Sequence, residues 1–223
     1  MMGRPRAAVF DLDGTLVDNM RYHGDAWLAL ARRLGASASR EDFERRWAGK
    51  KADEIFGFLL GRTPSTEETV RLEDEKERTY RAAYRPLVAP VPGVHAFLDR
   101  LQAAGVRLAL ATAAPRENRE MVLAALGLAQ RFQVIAGPEG DDVRGKPAPD
   151  IYLAAARGLD LPPAACLAFE DAVNGVLSAR AAGMEVAGVL TSATEAELAA
   201  AGARFFLHDY TALPAELARL LFG

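Results

Sequence analysis

The chain has 223 residues, 50% of them hydrophobic, one cysteine and a formal net charge of -3. That is material for one large domain, or for a domain carrying an insertion, with a substantial core. The charge argues against an extended nucleic-acid footprint, no apolar run is long enough to span a bilayer, and "MMGRPR" lacks an apolar signal region, so an unexported cytoplasmic protein is expected.

From Ala7 the run "AAVFD" is apolar and reads as a buried strand. Asp11, Asp13 and Asp18 follow closely, and like charges so near one another raise each other's pKa unless a cation or a phosphate-seeking site compensates them. From Asp18 to about Arg85 no strand pattern exists. Helical periodicity covers 21–34, 41–47, 53–60 and 67–85, the last opened by Ser65 and Glu68 at capping-box spacing and closed before Pro86. Inside it, "EDEKERTYR" mixes charges at helical spacing and reads as a solvated face. "PLVAPVPG" reads as the linker back.

Strand patterns then recur at "VRLALAT", "FQVIAG", "CLAFE", "EVAGVL" and "ARFFLH". Helical segments at 94–104, 117–126, 150–156, 175–182 and 195–201 lie between them, the last opened by Thr194 and Glu197 as a capping box. Cys166, in "CLAF", reads as a buried strand residue with no disulfide partner, which suits a reducing compartment. This alternation predicts an α/β fold: a doubly wound, Rossmann-like parallel sheet from 1–17 and 88–223, with an all-helical domain inserted at 18–87.

In such a sheet, ligands bind beyond the carboxyl ends of the strands, where Asp11 and Asp13 fall. Gly14 lets the backbone turn there, and Thr15 adds a hydroxyl and backbone donors. At the same edge lie Thr112 of "ALATAAP", Lys146 and Asp150 of "GKPAPD", and Glu170 and Asp171 of "CLAFEDAVNG". Each has an ordinary reading alone: a turn hydroxyl, a solvated lysine, an N-cap at Asp150, a helix start. Together they describe an oxygen-rich magnesium site with a cation placed to hold phosphate oxygens.

With "DLDGTL" leading, and Thr112, Lys146 and "EDAVNG" following in order and spacing, the chain resembles the haloacid dehalogenase superfamily hydrolases over essentially its whole length. The branch is that of β-phosphoglucomutases and sugar-phosphate phosphatases. The resemblance implies that the helical insertion is a mobile cap. It implies Asp11 as nucleophile and Asp13 as general acid and base. Mg2+ would be held by the Asp11 carboxylate, the Asp13 backbone carbonyl, Glu170 and Asp171, with Thr112 and Lys146 on the transferring phosphoryl oxygens. His23 in "RYHGDAW" resembles a histidine that contacts the acid/base aspartate in the mutases and also occurs in phosphatases of the branch.

The mutases hold a second phosphate with polar or basic residues after the hydroxyl motif. Here Ala114 and Pro115 stand first, leaving Arg116 and, in the insertion, Lys50 and Lys51 as distal anchors. The expectation is a monomeric phosphatase of a small phosphate ester, a sugar phosphate, with a phosphosugar mutase as the alternative and no nucleic-acid or membrane partner. A phospho-signalling receiver would need neither Asp13 nor a helical cap, and a non-catalytic phosphometabolite binder would not need the Asp11–Asp13 pair. His95 and His208 read as surface or packing residues.

Overall fold

The computed structural model describes residues 3–43, 47, 52–139 and 143–223. Each apolar run read as a strand is one: β1 (Ala7–Phe10), β2 (Arg107–Ala111), β3 (Val134–Ala136), β4 (Cys166–Glu170), β5 (Glu185–Val189) and β6 (Phe205–Leu207). They form a single 6-stranded sheet in the order β3-β2-β1-β4-β5-β6, every pairing parallel. The chain builds outward from β1 through β2 and β3, then crosses back to lay β4 on the other side of β1. The crevice beyond the ends of β1 and β4 is therefore the topological switch point, where open sheets of this kind bind ligands.

Successive strand residues face opposite sides of the sheet. On one side Ala7 and Val9 share a buried cluster with Tyr152, Ala155, Val176 and Met184. On the other, Phe10 stacks on Phe169 at 4.6 Å between ring centroids and meets Phe97 edge-on at 6.3 Å, while Phe97 stacks on Tyr210 at 5.1 Å. Truncating a fully buried phenylalanine here would cost about 3–5 kcal/mol. Phe10 and Phe169 are register partners, so Asp11 and Glu170 leave neighbouring strands at the same level.

The strands are joined by α5 (Val94–Ala103), α6 (Arg116–Ala125), α7 (Asp150–Gly158), α8 (Val173–Ala181) and α9 (Glu195–Ala201). Thr194 and Glu197 close a reciprocal capping box at the start of α9. A final helix, α10 (Ala215–Phe222), was not expected from the sequence. It is short, and only Leu217 and Leu221, four residues apart, are buried.

The chain divides into two compact units, Met1–Asp18 with Ala89–Gly223, and Asn19–Val88. The second is helical in its described residues, which explains why periodicity finds no strand there. Among its described residues the helices are H1 (Met20–Arg33), H2 (Arg40–Asp42), H3 (Ala52–Leu60) and H4 (Thr66–Tyr84). Of the helix expected at 41–47, residues 44–46 lie outside the described residues. Trp27, Leu30, Phe43, Trp47, Ile55, Phe56 and Leu72 form the core of this unit. Ser65 caps H4 by accepting from the Glu68 N–H, and the Glu68 carboxylate takes hydrogen bonds from Arg62 at 2.7 and 2.8 Å. Pro86 then sits in a 3-10 turn, Arg85–Leu87.

"EDEKERTYR" is the expected solvated face only in part: Asp74, Arg78 and Thr79 are exposed, while Lys76, Glu77 and Tyr80 are buried. Leu72, Lys76, Tyr80 and Tyr84 recur every four residues along H4 and are buried, with Glu77 beside them. The Lys76 ammonium donates to Glu77 Oε1 at 2.7 Å and to His23 Nδ1 at 2.8 Å, and lies 5.4 Å from the Trp27 ring centroid. A buried charge is tolerated when paired in this way. Among the described residues, no helix is long and apolar enough to cross a membrane.

Candidate active site

β1 delivers Asp11 to the switch point, its N–H donating to the Phe169 carbonyl at 3.0 Å. The chain then turns back through Gly14, whose φ is +83°, and the Gly14 N–H donates to the Val17 carbonyl at 2.7 Å. The turn has no room for a side chain. A Cβ on Gly14 would lie 2.0 Å from Asp171 Oδ2, so glycine serves here both for its left-handed conformation and for the approach of a carboxylate. Thr15 Oγ1 donates to Asp171 Oδ1 at 3.2 Å, and Tyr210 Oη donates to the Thr15 carbonyl at 3.1 Å.

Lys146 is half-buried and paired, not a solvated loop charge. Its Nζ donates to Asp11 Oδ1 at 2.7 Å and also to Glu170 Oε1. Tyr152 Oη donates to that same Glu170 oxygen at 2.7 Å, and the Lys146 ammonium lies 5.2 Å from the Tyr152 ring centroid. A Cβ on Gly175 would lie 2.0 Å from Glu170, so the first turn of α8 carries a glycine where that carboxylate packs. Asp150 is not an N-cap either. Pro149 holds that position, and the Asp150 carboxylate pairs with Arg144 at 2.9 Å.

Asp11, Glu170 and Asp171 are all buried, and each offers an oxygen within 4.8 Å of the others. Three anions this close need compensation. Burial, opposed by the Lys146 charge, pushes Asp11 well above the usual carboxylate range, with Glu170 and Asp171 adding to the rise. Burial and then the Glu170 charge push Asp171 up to about 7. Burial alone would lower Lys146, but Asp11 and Glu170 outweigh it and hold the ammonium charged. One lysine leaves the group short of positive charge. Asp171 Oδ2, buried, has no hydrogen-bond partner among the described residues. A divalent cation fits both observations, because the donor set is entirely hard carboxylate oxygen and one of those oxygens is otherwise orphaned.

The remaining candidates are distributed as follows. Asp13 is half-buried in the turn after β1, bridged to Val17. Thr112 is buried just past β2, its Oγ1 accepting from the Ala114 N–H at 3.1 Å. Arg116 is exposed at the start of α6, donating to Glu120 at 2.7 Å. His23 is buried on H1, in the helical unit, stacked 3.8 Å from Tyr80. Lys50 and Lys51 lie outside the described residues. Tyr152, absent from the sequence-based set, gave no signal there because it occupies an apolar position of α7 beside Ile151 and Ala155.

A protein-family model described as haloacid dehalogenase-like hydrolase matches residues 5–183. "Protein CbbY" of Rhodobacter capsulatus is 40% identical over 191 residues, covering 81% of this chain and 83% of the relative. "Validoxylamine A 7'-phosphate phosphatase" of Streptomyces hygroscopicus subsp. limoneus is 33% identical over 207 residues, covering 92% and 94%. Among solved structures, β-phosphoglucomutase from Clostridium difficile superposes with a TM-score of 0.82 at 28% identity, covering 96% of each chain.

Proposed function

The chain belongs to the haloacid dehalogenase-like hydrolases, and from that premise we propose that it is a magnesium-dependent phosphohydrolase of a small phosphorylated metabolite, a sugar phosphate, working through an aspartyl-phosphate on Asp11. The observation that carries the reading is the buried Asp11 carboxylate gripped by Lys146 beside an unpartnered Asp171 oxygen. A phosphate dianion approaching that carboxylate is repelled unless positive charge stands on both sides. Lys146 supplies one side. Asp11, Glu170 and Asp171 would hold Mg2+ on the other, with the Asp13 carbonyl, and the bound ion would neutralise phosphate and carboxylate oxygens.

Asp11 attacks phosphorus, the bond to the ester oxygen breaks, and Asp13 gives that oxygen its proton. Asp13 then takes a proton from water as the water oxygen attacks the same phosphorus. The acyl phosphate bond breaks, releasing orthophosphate and returning Asp11. Thr112 and Lys146 hold the transferring oxygens throughout. We assign substrate selection to the helical unit 19–88, with His23, Lys50 and Lys51 as its candidate residues. We assign the protein to the cytoplasm.

The likeness to β-phosphoglucomutase favours a second reading, a phosphosugar mutase. Against it, Ala114 and Pro115 offer no side-chain donor for a distal phosphate, and Arg116 is engaged by Glu120. The phosphohydrolase reading is tested with p-nitrophenyl phosphate. Turnover should require magnesium, stop with EDTA and fail to return with calcium, whose looser coordination misplaces the attacking carboxylate. Turnover in EDTA, or restoration by calcium, contradicts it.

A further inference from the structure

Arg119, on the first turn and a half of α6, is a buried arginine outside the acidic cluster, its side chain 9% exposed. Its Nη1 donates to the Ala114 carbonyl at 2.9 Å and its Nη2 to Glu139 Oε1, the two contacts leaving from the two arms of one planar fork. Ala114 is the residue whose N–H donates to Thr112 Oγ1 at 3.1 Å. That bond occupies a lone pair of the hydroxyl, so the hydroxyl proton is left to point elsewhere. On the other arm, Glu139 follows β3 in the segment that carries Gly137. A Cβ on Gly137 would lie 2.0 Å from Arg119 Nη1 and 2.1 Å from Glu139 Oε2, so the backbone passes directly against the ion pair. The Thr112 N–H donates to the Ala136 carbonyl at 3.1 Å, which joins the same two segments from the strand side.

We propose that Arg119 is a positioning residue of the phosphoryl site: it locks the Thr112–Ala114 turn to the Gly137–Glu139 segment, so that the Thr112 hydroxyl is aimed at the transferring phosphoryl group without Arg119 touching substrate. This rests on the phosphohydrolase reading above. The fork geometry is what the task requires, since one ammonium cannot span a carbonyl and a carboxylate on two segments with the same fixed directions. Glu139 is the lesser partner, because its side chain is 53% exposed.

Three variants are compared with the wild type for orthophosphate affinity by calorimetry with magnesium, for kcat and KM on p-nitrophenyl phosphate, for magnesium half-saturation and for thermal midpoint. Arg119→Met should weaken orthophosphate binding and lower kcat by about tenfold or more, the scale of one charge-assisted hydrogen bond. Arg119→Lys should recover only part of the loss, and Glu139→Gln, which leaves the arginine on the Ala114 carbonyl, should lose about threefold or less. Magnesium half-saturation should stay unchanged. Wild-type orthophosphate affinity and kcat in the folded fraction of Arg119→Met, with only the thermal midpoint lowered, would show a purely structural arginine and overturn the proposal. Should Arg119→Met fail to fold, equal orthophosphate affinity in Arg119→Lys and the wild type overturns it. Wild-type turnover tests the phosphohydrolase reading by itself, and the calorimetric comparison stands apart from it.

Discussion

Replacing Asp11 with asparagine keeps the shape of the side chain and removes its nucleophilic oxygen. Asp11→Asn should lower turnover by about three orders of magnitude or more with the thermal midpoint little changed, and retention of more than about one per cent of activity contradicts its role. Asp171 has a consequence for stability. Its carboxyl is held at about 7, above an ordinary 3.8, by burial first and then by Glu170. A folded pKa raised in this way gives a contribution that is complete below pH 4 and is lost as pH rises through 7. The metal-free protein should therefore melt at lower temperature as pH climbs from about 4 to 7 and level off above that, with on the order of 1 kcal/mol lost per pH unit inside the window from this group, and Asp171→Asn should flatten the slope. Melts in EDTA across that range check it, and an equal slope in the variant contradicts it. Asp11, Glu170 and Asp171 were legible in the sequence because each sits at or just past the end of a strand that announces itself locally, and Lys146 because "GKPAPD" marks the loop ahead of α7. Tyr152 was not, because its hydroxyl serves Glu170 across 18 positions of chain from an apolar helical face.

At the scale of elements, strands were easier to read than helix faces. Every strand lies within its predicted run because short apolar blocks bounded by glycine, proline or polar residues carry their own signal. H4 shows the opposite. Its buried stripe passes through Lys76, and a charged residue at a stripe position breaks the apolar period that would have revealed it. Lys76→Ala should destabilise the protein by about 3 kcal/mol in urea denaturation, since it removes one partner of a buried pair. Arg78→Ala, two residues on and exposed, should change stability by about 0.5 kcal/mol or less. Equal effects from the two substitutions would contradict the buried face. α10 carries no readable period because its apolar residues Leu217, Leu220, Leu221 and Phe222 crowd into barely two turns, and only Leu217 and Leu221 are buried.

For the whole molecule, the division of labour between an α/β unit that carries the acidic cluster and a helical unit inserted after β1 follows from where the strand pattern stops and resumes. Substrate choice belongs to the inserted unit in this account. Lys50 and Lys51, replaced together by alanine, should raise KM for a phosphorylated sugar, with kcat/KM falling by about 1–3 kcal/mol, and leave p-nitrophenyl phosphate hydrolysis nearly unchanged because a small aryl ester gives them nothing to hold. Equal losses on both substrates would move the lysines to the transferring phosphate. The most direct test of the central claim is orthophosphate release from a panel of sugar monophosphates, followed beside isomerisation, with magnesium or EDTA and with or without a sugar bisphosphate. The account predicts release that needs magnesium and outpaces isomerisation even with the bisphosphate present. Absence of release from every ester, release undiminished by EDTA, or isomerisation outpacing release would contradict it.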